Sequence, residues 1–184
     1  MDDHQPDERE NINNLIARRR SKRAISPDSL EDETVESLGR AAHLAPSCFN
    51  NQPWRFVFVD DSEKLNRIKK SLPDANYWAR TAPLIVAITS KSELDCELSK
   101  ERIYYKFDSG LAVENLLLQA TELGLVSHPI AGFDPDVTRK TLGVPEDFEL
   151  IALIIIGKPG NKENLNEKHK INEESDRDRM PLKE

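Results

Sequence analysis

The side chains best suited to binding chemistry are concentrated in one short stretch, residues 45–56, which reads Ala-Pro-Ser-Cys-Phe-Asn-Asn-Gln-Pro-Trp-Arg-Phe. Pro46 and Pro53 fix φ and remove backbone donors, so this stretch is neither a helix nor a regular strand. Between the prolines lie small, uncharged hydrogen-bonding side chains: Ser47, Asn50, Asn51 and Gln52. Two interpretations remain open from these residues alone: a rigid loop that holds a ligand, or an ordinary connection whose amides cap backbone groups.

A second group of residues suited to chemistry is cationic. Five of the six residues from Arg18 to Arg23 are positively charged, in a chain whose formal net charge is -7. Apolar residues precede them with helical spacing, so the sequence predicts that an amphipathic helix starting at Arg9 delivers these cations. Arginine forks and the Ser21 hydroxyl match phosphate oxygens, which favours a bound dianion. The alternatives are a solvated patch, cations that suit a helix C-terminus and a nucleic-acid patch, which the acidic net charge disfavours.

Together the two stretches resemble motifs of the nitroreductase family of FMN-dependent flavoproteins. The loop is similar to the signature A-P-S-x-x-N-x-Q-P-W, and residues 19–23 resemble the flavin-phosphate motif R-R-S-x-R. The resemblance extends over nearly the whole chain, residues 15–182. It implies an α+β fold of three α/β/α layers, with a mixed, mainly antiparallel central sheet flanked by helices. It also implies a homodimer that binds FMN at its interface.

The resemblance further implies which residues bind FMN. One subunit would hold the phosphate with residues 19–23 and would present backbone N–H groups of Ala131 and Gly132 near flavin N5. The loop of the other subunit would line the ring and the ribityl chain. The C-terminal pattern R-x-R-x-P-L, residues 177–182, would return to the phosphate. The cofactor-binding residues predicted in this way are Arg19, Arg20, Ser21, Arg23, Pro46, Ser47, Cys48, Asn50, Gln52, Ala131, Gly132, Arg177 and Arg179.

The activity implied is hydride transfer from NADH or NADPH, through flavin N5, to a nitroaromatic, a quinone or a similar acceptor by a ping-pong mechanism. No side chain need be catalytic, because the cofactor carries the chemistry. The sequence has no GxGxxG after a strand, no P-loop and no GxSxG. Its four histidines lack the spacing of metal ligands.

Two alternatives use the same scaffold: a low-turnover flavin-binding or ligand-sensing dimer, and a different flavin chemistry such as that of a dehalogenase or dehydrogenase. Enzymes with these other flavin chemistries often have an inserted lid between the central strand and the long helix. In this sequence the corresponding connection, residues 90–102, is short and polar, which favours a general reductase.

Length and composition set the remaining expectations. The 184 residues predict a frayed acidic N-terminus (1–8), one domain (9–157) and a polar C-terminal extension (158–184). The resemblance implies that the domain of residues 9–157 binds FMN. The longest apolar run, residues 150–156, is too short to span a bilayer. The formal net charge of -7 argues against a nucleic-acid or anionic-membrane partner, so neither is expected. Cys48 and Cys96 have no CxxC spacing, which suggests reduced thiols in a cytoplasmic protein and leaves a disulfide between them open. The preferred interpretation of Cys48 is a small residue that fits beneath the flavin ring, and a redox role is the alternative.

Hydrophobic patterns predict the elements that position these groups. Strands are expected near residues 54–59, 83–89, 125–130 and 148–156. The longest helix is expected over residues 104–123, with Gly124 as its left-handed C-terminal cap. Asp134 and Pro135 should begin a further helix that Gly143 ends. Residues 91–102, which include Cys96, are expected to form a charged surface connection.

Overall fold

The computed structural model describes residues 11–99 and 102–181, so the predicted frayed N-terminus and Leu182 of the tail pattern lie outside the described residues. Six α-helices are found in these ranges: α1 (Asn14–Arg18), α2 (Asp32–His43), α3 (Ser62–Ser71), α4 (Tyr105–Glu122), α5 (Pro135–Leu142) and α6 (Glu167–Glu174). The strands are β1 (Arg55–Val59), β2 (Leu84–Ser90), β3 (Glu97–Ser99), β4 (Arg102–Ile103), β5 (Val126–Ile130) and β6 (Glu149–Gly157).

Four strands form the central sheet in the order β1-β2-β6-β5, and every pair is antiparallel. Strand β2 is buried along its whole length, as its continuous apolar sequence predicts for a central strand covered on both faces. Each of the four predicted strands begins and ends within one residue of the corresponding observed strand. The predicted α+β fold with a mainly antiparallel sheet is therefore confirmed.

Helices cover both faces of this sheet. Successive side chains of a strand point to opposite faces, and accordingly Val86 packs with one hydrophobic cluster and Ile85 with the other. Helices α2 and α4 contribute Leu38 and Leu116 to the first cluster, whereas α3 contributes Ile68 to the second. Each of these side chains is fully buried, which stabilises the fold by about 1.5–3 kcal/mol per residue. The three-layer arrangement follows from this alternation.

The predicted helix signals are mostly confirmed. Gly124 (φ +70°) follows the end of α4, and Gly143 (φ +66°) ends α5 in the left-handed conformation. The Asp134 side chain accepts a hydrogen bond from the N–H of Val137 at 2.9 Å, as expected of an N-cap, and Pro135 occupies the first position of α5.

The predicted helical delivery of the cations is wrong, because α1 contains only Arg18 of the cationic run. Arg177 donates hydrogen bonds to the carbonyl oxygens of Ile16, Ala17 and Arg19, which occupies acceptors that a longer helix would use. Further along, residues 24–26 run beside residues 158–160. Hydrogen bonds from Ser26 N to Lys158 O and from Gly160 N to Ala24 O hold the two segments together, each at 2.9 Å.

One other segment differs from expectation. Residues 91–102 contain the antiparallel pair β3–β4, and Cys96 is buried, so the predicted surface connection is wrong at this residue. The polar C-terminal segment contains α6, which begins at its N-cap Asn166 and buries Glu173. None of the helices in the described residues combines the length and apolar character needed to cross a membrane.

Candidate functional site

The loop between Pro46 and Pro53 has a strained backbone. Phe49 (φ +48°), Asn50 (φ +58°) and Gln52 (φ +50°) all occupy the left-handed region, which costs about 1 kcal/mol or more per non-glycine residue. Ser47 Oγ accepts a hydrogen bond from Gln52 N at 2.9 Å, and Gln52 Nε2 donates to Asn50 O at 3.0 Å. Strain of this kind is concentrated at functional sites, which supports the prediction that this loop holds a ligand.

A covalent bond and a hydrogen bond tether this loop at Cys48. The Cys48 sulfur forms a disulfide with Cys96, with the two Cα atoms 6.1 Å apart. The Cys48 N–H donates to Asp108 Oδ2 of α4 at 2.6 Å. The expectation of reduced thiols is therefore wrong. The pairing was not visible in the sequence because only folding brings the two residues, 48 positions apart, together.

Asp108 is almost fully buried beneath the loop, at 2% exposure. Burial raises the pKa of its carboxyl group, the Cys48 N–H acts in the opposite direction, and the nearby Asp95 carboxylate raises the pKa further. Asp108 was not among the predicted site residues. The only signal was its position as a polar residue in a largely apolar helix, which it shares with Glu114, Asn115 and Gln119.

The cationic residues lie in an extended segment, where alternate side chains point to opposite sides. Arg19 Nη1 donates to Ser21 Oγ at 3.3 Å, Arg19 Nε lies 3.8 Å from Glu114 Oε1 of α4, and the Arg23 guanidinium lies 5.9 Å from the centre of the Trp78 ring. On the other side, Arg20 Nη2 donates to Ser175 O at 2.6 Å and lines a separate cavity of about 630 Å³. The structure thus separates Arg20 from the other members of its motif.

The end of β5 lies beside this segment. His128 Nδ1 is 3.0 Å from Lys22 O, and its ring lies 4.6 Å from that of Trp78, centre to centre. Burial is the main cause that lowers the pKa of His128, to about 4. Ala131 and Gly132 follow β5 and are exposed, and Asn76 Nδ2 donates to Gly132 O at 2.7 Å. His128 was not predicted to belong to the site.

Of the two C-terminal arginines, Arg177 lies against the cationic segment. Arg177 contacts the backbone of α1 and Arg19, as described above. Arg179 Nη1 donates to the neighbouring Asp178 O at 2.6 Å. The tail therefore returns to the cationic segment, while the role of these two arginines toward a phosphate stays a prediction.

Within one chain the loop and the cationic segment do not converge. The loop is attached to α4 at Asp108, and Arg19 is attached to the same helix at Glu114. Six residues of helix correspond to about 9 Å along the axis and about 120° around it. The two halves of the predicted site therefore face different directions, as expected if each half meets its complement on another subunit.

Comparison with known proteins identifies the family of the chain. The family model for the nitroreductase family matches residues 16–76 and 73–158. The "Putative NADH dehydrogenase/NAD(P)H nitroreductase" of Archaeoglobus fulgidus is 30% identical over 158 residues, covering 83% of this chain and 88% of that protein. The 5,6-dimethylbenzimidazole synthase of Rhodospirillum rubrum is 27% identical, covering 94% and 93%. A crystal structure of an oxidoreductase containing FMN is 30% identical and superposes with a TM-score of 0.82, covering 93% of this chain and 88% of its own.

The fold and these matches define the class of the protein as an oxidoreductase with a three-layer α+β architecture. More specifically, the chain belongs to the nitroreductase family.

Proposed function

We propose that this protein is an FMN-dependent oxidoreductase that takes electrons from NADH or NADPH and passes them to a small-molecule acceptor. The observation that carries the proposal is the extended segment in which Arg19, Ser21 and Arg23 occupy alternate positions. Two guanidinium groups and a hydroxyl on one side of a segment form a donor set that suits the phosphate dianion of FMN.

Two other groups of residues suit the remainder of the cofactor. Ala131 and Gly132 carry little or no side chain and are exposed beyond β5, so their backbone is accessible to a flat ring. The loop of residues 46–52 offers Ser47, Asn50 and Gln52 as uncharged polar partners in a restrained conformation. When bound, FMN supplies the hydride chemistry. The protein binds it, orients it and limits access of water.

We further propose that the functional unit is a homodimer, because the two halves of the site are about 120° apart around α4 in one chain. Large apolar side chains near the loop and the start of α4 support this assignment. Leu44 is 80% exposed, Phe49 85% and Phe107 63%. Exposed apolar groups in one region are typical of a subunit interface.

The proposed setting is the cytoplasm, with a nitroaromatic, a quinone or a similar molecule as acceptor. Reduced thiols would have been an argument for the cytoplasm, but Cys48 and Cys96 form a disulfide, so this argument no longer applies. The net charge of -7 disfavours nucleic-acid and anionic-membrane partners.

The first experiment measures FMN binding to the full chain by flavin fluorescence, for the wild type and for Arg23→Ala. We expect binding by the wild type and about 10- to 100-fold weaker binding by the variant, because charge-assisted hydrogen bonds are lost. Arg40→Ala is the matched control, since Arg40 is exposed on α2 and pairs with Glu36. Absence of FMN binding, or equal losses in both variants, would overturn the proposal.

The second experiment follows anaerobic bleaching of the bound flavin by NADH and by NADPH, and recovery of absorbance on addition of a nitroaromatic or a quinone. Repeated bleaching and recovery supports a general reductase. A flavin that neither nucleotide reduces supports the low-turnover binding or sensing alternative. A flavin that is reduced, but that neither acceptor reoxidises, supports a different flavin chemistry. Sedimentation of the same samples tests the dimer.

A further inference from the structure

We propose that Cys48 and Cys96 form a thiol–disulfide exchange site, reduced by a dithiol, whose redox state controls the conformation of the loop of residues 46–52. The disulfide is the covalent link between this loop and the segment that leads into β3. Cys48 is half-buried, whereas Cys96 is 7% exposed. An external thiol therefore reaches the sulfur of Cys48 first.

The surroundings of the disulfide are suited to proton exchange. The two sulfurs and a carboxylate oxygen of Asp95 lie within 4.8 Å of one another. Asp95 Oδ2 is buried without a hydrogen-bond partner in the part of the chain that the structure describes. Asp108 lies close enough for its carboxyl group to interact with that of Asp95. A proton on Asp108 would supply the donor that Asp95 Oδ2 lacks.

No cation compensates these two carboxyl groups, since neither forms a salt bridge within the described residues. Burial and the neighbouring Asp95 carboxylate both raise the pKa of Asp108, so Asp108 retains a proton more readily than a carboxylic acid in water. The pair is therefore a proton source beside the sulfur that leaves when the disulfide opens.

The exchange balances without a further reactant. A thiolate of the dithiol attacks Cys48 Sγ, a mixed disulfide forms, and the Cys48–Cys96 bond breaks with the electron pair on Cys96 Sγ. Cys96 takes a proton from the carboxyl pair, which regains it from solvent. The second thiol of the reductant then displaces Cys48 as a thiolate, which is protonated. The protein disulfide gains two electrons, and the dithiol becomes a disulfide.

Opening the bridge changes the restraint on the loop. Three residues of the loop hold left-handed conformations at a cost in free energy. Once the bridge is open, only hydrogen bonds of its backbone are described for Cys48: its N–H donates to Asp108 Oδ2, and its carbonyl oxygen accepts from Asn51 N. We expect the loop to relax and to lose its organised binding conformation. The effect of this change on FMN rests on the function proposed above, whereas the exchange itself does not.

The exchange is tested on the full-length protein in buffers of graded ratios of reduced to oxidised dithiothreitol, with a chelator present. Alkylation under native conditions and mass spectrometry count free thiols, while circular dichroism monitors folding. We expect both cysteines to become alkylated together while the protein remains folded. Alkylation only after unfolding, or alkylation without any reductant, would overturn the exchange site.

The effect on the loop is tested by FMN affinity in the oxidised and the reduced protein. We expect about tenfold weaker binding after reduction, because the binding conformation is no longer preorganised. Cys96→Ser should bind FMN like the reduced wild type and should not respond to dithiothreitol. Ser99→Ala, an exposed position on β3, is the matched control and should respond like the wild type.

Equal FMN affinity in the two redox states of the wild type would overturn control of the loop, and this comparison needs no variant to fold. If FMN does not bind in either state, the proposed function fails, while the thiol count still decides whether the exchange site exists.

Discussion

Gly160 holds the cationic segment in place, and replacing it by alanine is a stringent test of the described geometry. A Cβ atom at this position would lie 2.4 Å from the carbonyl carbon of Ile25, 2.6 Å from Ile25 O and 2.7 Å from Ser26 N. All three atoms belong to the backbone, so no side-chain rotation relieves the contact. The two segments must move apart, and Ser26 and Gly160 lose the geometry of their backbone hydrogen bonds.

The expected cost follows from these contacts. Overpacking costs about 1–3 kcal/mol, and two weakened hydrogen bonds cost about 1 kcal/mol each. We therefore expect Gly160→Ala to lower the free energy of unfolding by about 3–5 kcal/mol. Because Arg23 lies immediately before the displaced segment, FMN affinity should fall as well.

Urea unfolding followed by circular dichroism measures the loss. Gly39→Ala on α2 is the matched control, since its Cβ would lie 3.5 Å from the Phe58 ring, an ordinary contact. This variant should be unchanged or more stable by about 0.5–1 kcal/mol, because alanine is the better helix former. The reasoning is refuted if Gly160→Ala is within about 0.5 kcal/mol of the wild type.

Two further predictions concern buried ionisable groups. The pKa of His128 is lowered from 6.5 to about 4, first by burial, so the unfolded chain takes up the proton at higher pH than the folded one. The contribution of neutral His128 to the free energy of unfolding is complete above pH 6.5. It is lost as the pH falls toward 4, which lowers the free energy of unfolding by at most about 3 kcal/mol. Urea unfolding at pH 7 and 4.5 should show a smaller loss for His128→Asn than for the wild type, and equal losses contradict this assignment. Asp108→Ala leaves the Cys48 N–H without its acceptor and should cost about 1–3 kcal/mol, whereas Asp108→Asn retains an acceptor oxygen and should cost less. Equal unfolding midpoints for the two Asp108 variants would show that the hydrogen bond to Cys48 is unimportant.

The fold was largely predictable because its determinants are local. The continuous apolar sequence of residues 83–89 could form a buried strand whatever its neighbours, and β2 is found there. Gly124 and Gly143 suit left-handed caps by their lack of a Cβ, and Asp134 suits an N-cap by its short carboxylate. Predictions failed where distant residues compete for the same groups. Arg177 takes the carbonyl oxygens beyond α1, and this contact spans about 160 positions of sequence.

The composition of the candidate site was likewise visible in the sequence. Residue type and spacing were sufficient to identify the polar residues between Pro46 and Pro53 and the cations around Ser21. Their arrangement was not visible. In the extended segment, alternate side chains point to opposite sides, and Arg20 is therefore separated from Arg19 and Arg23. A helix over the same residues would not produce this separation.

The sequence by itself thus determined the elements, the family motifs and the polar groups of the loop, because these depend on residue type and on neighbours a few positions away. Only the tertiary structure decided that Cys48 meets Cys96, that Asp108 lies beneath the loop, and that the two halves of the site face apart around α4. These features depend on contacts between residues tens of positions apart, which packing around the sheet creates and which no local pattern encodes.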